Sequence, residues 1–177
     1  MIETVRLVLR FFTHADADRL YDMFRRPEVA RWSGNGKPMT ERDQAVQRIA
    51  RMPERAGDHP AAGVFAAELK DTGVVAGMVM LVPIPPSKGV DRSDMEIGWH
   101  FHPDAWGNGY ATEAATALVE RGFAAGIPEL YAVTDLDNAA SQAVCRRLSM
   151  EDIGTRSDWY DMELRAFCLK GPGEPVN

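Results

Sequence analysis

Alternating and uniformly apolar runs along the chain predict its strands. The first is expected at 5–11, and two β-branched runs at 64–69 and 74–82 are expected to form a hairpin around the turn 70–73. Further runs predict strands at 95–102, 130–134, 152–156 and 162–169. The proline-rich stretch 83–89 is expected to be an exposed loop, because proline lacks the N–H that a sheet ladder uses.

Apolar residues at helical spacing predict helices between these strands. The first begins at the capping-box pair Thr13 and Asp16 and ends near Arg26, and the second extends from Thr40 to about Pro53. Two more are expected at 110–125 and from a cap at 137–138 to 148.

The resulting order of elements is β-α-α-β-β-β-α-β-α-β-β. Three successive strands in mid-chain predict an antiparallel meander, and the later strand–helix–strand unit predicts a parallel crossover. The predicted fold class is therefore α/β (α+β), with a mixed, mostly antiparallel twisted sheet and flanking helices.

The composition indicates one globular domain without a nucleic-acid or membrane partner. The 177 residues can bury a core and no linker divides them, so a single domain is expected at 1–177 with a loose tail at 171–177. A net charge of −6 disfavours a nucleic-acid binder, which needs a basic face. The sequence shows no pattern of a signal peptide and no apolar run of the roughly 20 residues that a membrane helix needs. The two cysteines show neither a metal-binding nor a disulfide pattern. A cytoplasmic location is expected.

The segment Gly107-Asn108-Gly109 lies between a predicted strand and the start of a predicted helix. Glycines there let backbone N–H groups approach a phosphate, and the helix dipole favours a bound anion. A P-loop is excluded because no lysine follows the glycines. A dinucleotide-binding fingerprint is disfavoured, because its third glycine position holds Thr112 and the loop follows a late strand. An ordinary strand-to-helix turn is the alternative.

Three segments in chain order resemble motifs of one family. The segment Trp106-Gly107-Asn108-Gly109-Tyr110-Ala111 is similar to motif A, [QR]-x-x-G-x-[GA], of the GNAT superfamily of N-acetyltransferases, with Trp106 in place of the usual first residue. Residues 137–148 resemble D-N-x-x-S-x-x-V-x-x-[KR]-L of the branch that contains ribosomal-protein alanine N-acetyltransferases, and residues 5–10 resemble its first strand. The resemblance covers about 4–170. Ser149-Met150 replace the Gly-Phe that usually ends the second segment, so the backbone geometry there is in question.

The resemblance implies a GNAT-like acyl-CoA N-acyltransferase fold, with a sheet splayed where the pantetheine arm of the co-substrate inserts. Acetyl-CoA is the expected co-substrate, other short acyl-CoA molecules remain open, and no metal is expected. A backbone N–H near Phe101 or His102 is expected to polarise the thioester carbonyl. The residues expected to bind acyl-CoA are Phe101, His102, Trp106, Gly107, Asn108, Gly109, Tyr110, Ala111, Thr112, Asn138 and Ser141.

The resemblance also implies catalytic candidates. Ser141 matches the position whose hydroxyl donates a proton to the leaving thiolate, and Asn138 the residue that binds the pantetheine arm; a surface serine and a plain N-cap are the alternatives. Glu96 is the first candidate for the general base, against the alternative of a structural carboxylate that holds a guanidinium. His100, which shares a strand face with Glu96 by alternation, and Asp158 are the other candidate bases.

The predicted function is transfer of an acetyl group from acetyl-CoA to the primary amine of a protein N-terminus or a small molecule, by direct attack. Arg146 and Arg147 are candidates for the phosphates of the co-substrate, with a solvated helix face as the alternative. Trp32 and Trp159 are candidates for walls of the acceptor pocket, with the core as the alternative. A non-catalytic acyl-CoA-binding sensor or interaction module on the same fold is the alternative function. Both a monomer and a homodimer remain open.

Overall fold

The computed structural model describes residues 1–172, which contain one eight-stranded sheet. The strands lie side by side in the order β1-β2-β3-β4-β5-β6-β8-β7. In chain order they are β1 (Ile2–Glu3), β2 (Leu7–Phe11), β3 (Gly63–Leu69), β4 (Val75–Ile84), β5 (Asp94–Phe101), β6 (Glu129–Thr134), β7 (Glu151–Arg156) and β8 (Leu164–Lys170). The pair β5–β6 is parallel and the other neighbouring pairs are antiparallel, which confirms the predicted mixed sheet.

Helices cover both faces of the sheet. They are α1 (Ala17–Phe24), α2 (Pro27–Ala30), α3 (Arg42–Ala56), α4 (Tyr110–Ala124) and α5 (Ala139–Arg147). The short elements β1 and α2 were not predicted, because two and four residues carry no readable periodicity. None of the helices between residues 1 and 172 is long and apolar enough to cross a membrane. Most of the tail predicted at 171–177 lies outside the described residues.

The boundaries of α3 differ from the prediction at both ends. The capping box is formed one residue later than expected, by Glu41 and Gln44, and the helix continues through Pro53 instead of ending there. Met52 and Ala56, on either side of this proline, are both buried against the sheet. Their packing stabilises the last turn and outweighs the local cost of the proline.

The stretch 83–89 is exposed over most of its length, as its prolines predicted, but its first two residues belong to β4 and Ile84 and Ser87 are buried. Strand β4 includes Pro83, which lies beyond Leu81, the last residue of β4 that pairs with β3. Proline is tolerated at such an edge, because no neighbouring strand there needs its N–H. Further along, Ser87 is buried, and its N–H donates to the carbonyl of Asp158. The stretch is therefore anchored to the loop before β8.

Two of the three buried apolar clusters lie on opposite faces of the sheet, and the apolar side chains of β5 belong to one of them. Ile97 and Phe101 belong to the cluster under α4, whereas Met78 and Val82 of β4 pack with α1 and α3 on the other face. The ring of His100 packs edge-on against Phe24 of α1, so its side chain lies on the α1–α3 face. The predicted alternation of β5 is therefore confirmed.

The parallel ladder between β5 and β6 is short. Over the described residues its partners are Met95 with Leu130 and Glu96 with Tyr131, whereas β5 pairs with β4 along its whole length. Beyond Glu96 the two strands diverge, and the gap opens toward their carboxyl ends.

Helix α5 ends at a strained residue. Ser149 has φ +59°, the left-handed conformation that the usual glycine adopts without a penalty. The expected cap geometry is therefore present, and a serine side chain occupies it at a cost of about 1 kcal/mol.

Candidate active site

A cavity of about 1290 Å³ occupies the gap between β5 and β6 and extends to α3 on the other face of β5. Its walls come from the loop before α4, the facing parts of β5 and β6, the first turn of α5, and one side of α3. The predicted site residues that line it are Trp32, Glu96, His100, Phe101, Trp106, Gly107, Gly109, Tyr110, Ala111, Thr112, Asn138, Ser141 and Arg147. Three separated parts of the sequence therefore meet in one space, namely α3, β5 with the loop that follows it, and β6 with α5.

The loop before α4 presents unbonded backbone N–H groups to the cavity. Gly107 and Gly109 have φ of +78° and +79°, which only glycine adopts without strain. The N–H groups of residues 107–112 have no acceptor anywhere between Met1 and Pro172. The hydroxyl of Thr112 is buried and likewise has no partner within those residues. Together with the positive end of the α4 dipole, these donors suit a phosphate group.

The outer side of this loop is held by the first strand region. The guanidinium of Arg6 donates to the carbonyl of Asn108 (2.9 Å) and pairs with the carboxylate of Glu113 (2.7 Å). Glu113 also accepts from the Thr4 hydroxyl at 2.6 Å and from the Arg6 N–H at 2.7 Å. These bonds lower the pKa of Glu113, against the opposing effect of its partial burial. The loop is therefore fixed by contacts with residues that do not line the cavity, while Gly107 and residues 109–112 do line it.

Sequence reasoning had missed this clamp, although both of its partners lie in segments that carry the family resemblance. Arg6 follows the opening of the first-strand motif, and Glu113 lies three residues after Tyr110 in the loop motif. Neither segment indicates by itself that the two meet, because 107 residues separate them.

The two candidate amides at the end of β5 have different environments. His102 donates its N–H to the carbonyl of Ala76, and its ring lies 3.0 Å from the carboxylate of Asp22, away from the cavity. The structure therefore does not bring His102 to the cavity with the other expected acyl-CoA-binding residues. By the alternation of the antiparallel ladder, the N–H of Phe101 points to the opposite side, into the gap. Its carbonyl accepts from the Trp106 indole at 2.8 Å.

Asn138 and Ser141 lie together in the first turn of α5. The side-chain oxygen of Asn138 accepts from the N–H of Ser141 at 3.1 Å, so Asn138 is the N-cap. The NH2 group of the Asn138 side chain has no hydrogen-bond partner among residues 1–172, and Asn138 lines the cavity, so this donor is available to a ligand. Ser141 also lines this space.

Glu96 is held by two donors that sequence reasoning did not predict. Arg55 of α3 (3.2 Å) and the hydroxyl of Tyr160 both donate to Oε2 of Glu96. The other oxygen, Oε1, has no hydrogen-bond partner in the described part of the chain. Burial raises the pKa of Glu96, and the contacts with Tyr160 and Arg55 oppose that rise. The carboxylate thus combines a structural ion pair with one free oxygen in the cavity.

The other two candidate bases are placed less favourably. Burial and the nearby Arg48 guanidinium lower the pKa of His100 to about 3, so its ring is neutral at physiological pH and a weak base. Asp158 is not among the residues that line the cavity, and its recorded contact is the backbone bond to Ser87.

The remaining candidates divide between cavity, core and solvent. Trp32 lines the cavity, but Trp159 is fully buried and donates its indole N–H to Asp94 at 2.9 Å, so it is a core residue and the pocket-wall expectation is wrong for it. Arg147 lines the cavity, whereas Arg146 is exposed outside it. Within residues 1–172 no three His, Cys, Asp or Glu side chains are grouped as metal ligands would be.

Known proteins resemble this chain over most of its length. Residues 6–151 match the family described as the acetyltransferase (GNAT) domain. An uncharacterized N-acetyltransferase of Bacillus subtilis, YoaA, is 29% identical over 159 residues, which is 87% of this chain and 84% of the relative. The FsC-acetyl coenzyme A-N(2)-transacetylase of Aspergillus fumigatus is 29% identical over 166 residues, 90% of this chain and 68% of the relative.

A solved structure extends the likeness of the fold. The ribosomal-protein-S5-alanine acetyltransferase from Vibrio fischeri superimposes with a TM-score of 0.72, covering 96% of each chain at 17% sequence identity.

The neutral His100 generates a prediction about acid stability. Because its pKa is about 3 in the native state and about 6.5 unfolded, the unfolded chain binds one more proton between these values. The His100 contribution to stability is therefore complete above pH 6.5 and is lost as the pH falls, by about 1.4 kcal/mol per pH unit. We expect His100→Gln to reduce the slope of unfolding free energy between pH 6.5 and 4.5 by about that amount.

Urea unfolding at several pH values measures this slope. His14→Gln, at an exposed histidine, is the matched control and should keep the wild-type slope. An unchanged slope in His100→Gln would show that the ring is not held neutral.

Proposed function

The chain belongs to the GNAT acetyltransferase family, and on that premise we propose that it transfers the acetyl group of acetyl-CoA to a primary amine of a small molecule or a protein N-terminus, by direct attack. The observation that carries the proposal is the row of unbonded amides at 107–112 beside the gap between β5 and β6. Acetyl-CoA supplies an activated acetyl group as a thioester, and the remaining chemistry falls to residues of this chain.

The proposed position of acetyl-CoA follows from the donors. The amides of the loop and the Thr112 hydroxyl are assigned to the pyrophosphate, which needs several donors and a positive field. The pantetheine arm, which carries amide groups of its own, is assigned to the gap, where it adds to β5 as a further strand would. Asn138 is assigned to that arm, and the free N–H of Phe101 is assigned to the thioester carbonyl.

Two proton transfers accompany the reaction. As the N–C bond forms and the C–S bond breaks, the amine loses a proton and the sulfur gains one. We assign the first to Oε1 of Glu96, whose burial raises its pKa and makes it a better base than an exposed carboxylate. We assign the second to the hydroxyl of Ser141 in the first turn of α5. Glu96 and Phe101 belong to β5 on one side of the gap, and Ser141 belongs to α5, the helix that follows β6.

One prediction tests the assignment of the pyrophosphate to the loop before α4. Gly109→Ala puts a side chain on a residue with φ +79°, and its methyl group would lie 3.6 Å from the Arg6 guanidinium on the outer side of the loop, so relief of the backbone strain shifts the amides that are assigned to the pyrophosphate. We expect the dissociation constant for acetyl-CoA to rise at least tenfold, about 1.4 kcal/mol. Isothermal titration calorimetry measures this constant.

Gly126→Ala is the matched control. Gly126 has φ +82° and open space around it, and it lies beyond the other end of α4. Both variants therefore introduce similar backbone strain, of about 1 kcal/mol, but only one changes the loop. Equal affinities for acetyl-CoA in the two variants would contradict the assignment of the pyrophosphate to residues 107–112.

A further prediction tests the two proton transfers with separate variants. Ser141→Ala should lower kcat by about 10²-fold and leave the acetyl-CoA dissociation constant unchanged, because a general acid acts mainly in the transition state. Glu96→Gln keeps the shape of the side chain and should lower kcat/KM and remove the acidic limb of its pH profile. Thiol release over a panel of amines measures both.

Other outcomes would redirect the proposal. Full kcat in Ser141→Ala would assign the proton to water or to another residue. An unaltered pH profile in Glu96→Gln would show that Glu96 is not the general base and that its role is the structural ion pair with Arg55. Tight binding of acetyl-CoA with no thiol release on any amine would favour the non-catalytic acyl-CoA-binding sensor.

A further inference from the structure

Helix α3 presents a row of arginines to the cavity. Arg48, Arg51 and Arg55 are spaced at three and four residues, so they lie on one face of the helix, and all three line the cavity. Arg55 is neutralised by Glu96 at 3.2 Å. Arg48, two turns earlier, has a different environment.

Arg48 is a half-buried cation without a carboxylate partner among residues 1–172. Its guanidinium lies 3.9 Å from the centre of the Phe24 ring and donates one hydrogen bond to the hydroxyl of Ser33, at 3.3 Å. No carboxylate oxygen of residues 1–172 is within 4.0 Å, although Glu28 also lines the cavity. Burial lowers the pKa of Arg48 to about 10, and no acidic group opposes that change. The side chain is still charged at neutral pH.

Such a charge is unfavourable in the free protein. Partial removal of a charge from water without a counter-charge is unfavourable, and a hydroxyl and an aromatic face offset only part of that cost. The adjacent His100 is neutral and adds no negative charge. A ligand carboxylate would supply the missing charge and two acceptors for the guanidinium fork.

We propose that Arg48 is the specificity-determining residue of the acceptor site, and that it binds the carboxylate of a small amine acceptor of the amino-acid class. Arg48 lies beside His100 in β5, and His100 immediately precedes Phe101, whose N–H faces the gap. A carboxylate on Arg48 is therefore close to the assigned thioester position, and the reacting amine is only a few bonds from it. This inference rests on the proposed acetyltransfer and names the class of its acceptor.

The test compares acids with their neutral amides. Thiol release from acetyl-CoA is measured with the standard amino acids and with their α-carboxamides, for the wild type, Arg48→Met and Arg48→Lys. For the amino acids that are acetylated, we expect the wild type to prefer the acid over the amide at least tenfold in kcat/KM. Arg48→Met should abolish that preference, mainly through KM, and Arg48→Lys should keep part of it because the charge remains.

Two further readouts distinguish recognition from a structural role. Arg48→Met should bind acetyl-CoA as tightly as the wild type and should unfold at a higher temperature, since it removes an uncompensated and partly desolvated charge. Arg25→Met, at an exposed arginine outside the cavity, is the control and should change neither preference nor affinity.

Several results would overturn the inference. They are equal rates with acids and amides in the wild type, a preference that survives in Arg48→Met, and a loss of stability in Arg48→Met that explains its lower activity. Acetylation of peptides with an acidic first residue, but of no free amino acid, would place the carboxylate on a protein N-terminus and contradict the small-molecule class. Absence of thiol release with every amine would instead contradict the proposed acetyltransfer itself.

Discussion

Backbone pairing between β5 and β6 stops at Glu96 and Tyr131, and the cavity exists because the strands separate beyond that point. Separation leaves polar backbone groups of both strands without partners, which is unfavourable in a protein interior unless water or a ligand satisfies them. The sheet tolerates the gap because β5 is paired with β4 over its whole length and β6 is paired with β8 over its own. Two stable halves thus hold open a slot whose backbone groups can accept an extended, amide-containing chain.

The features around the slot support one another. The carboxyl ends of β5 and β6 point the same way because the pair is parallel, so the loop that follows β5 and the helix that follows β6 meet at one edge. There α4 contributes free amides and α5 contributes Asn138 and Ser141. The clamp of Arg6 on Glu113 fixes the loop before any ligand arrives, which reduces the ordering cost of binding. On the other face of β5, α3 carries both a neutralised and an uncompensated arginine, and this asymmetry is the basis for assigning that side to the acceptor.

Local patterns in the sequence predicted most of the elements, the mixed sheet and the position of the glycine loop. The failures have a common physical cause, which is that contacts distant in sequence override local rules. Pro53 continues α3 because Met52 and Ala56 pack on the sheet, and Pro83 lies in β4 because β3 has already ended. The environment of Glu96 depends on Arg55 and Tyr160, at separations of 41 and 64 residues, which no local pattern encodes. The arginine row of α3 was readable from its spacing, but only the fold distinguishes the paired from the unpaired member.

The central claim is that acetyl-CoA binds on the amides of 107–112 and along the gap, and amide hydrogen exchange with and without acetyl-CoA tests it most directly. These amides have no acceptor between residues 1 and 172, so they should exchange rapidly in the free protein. The account predicts that saturating acetyl-CoA slows exchange at Gly109–Thr112 and at Phe101, and leaves β2 and β3 unchanged. Rapid exchange at those amides in the saturated complex, or protection confined to other elements, would contradict it.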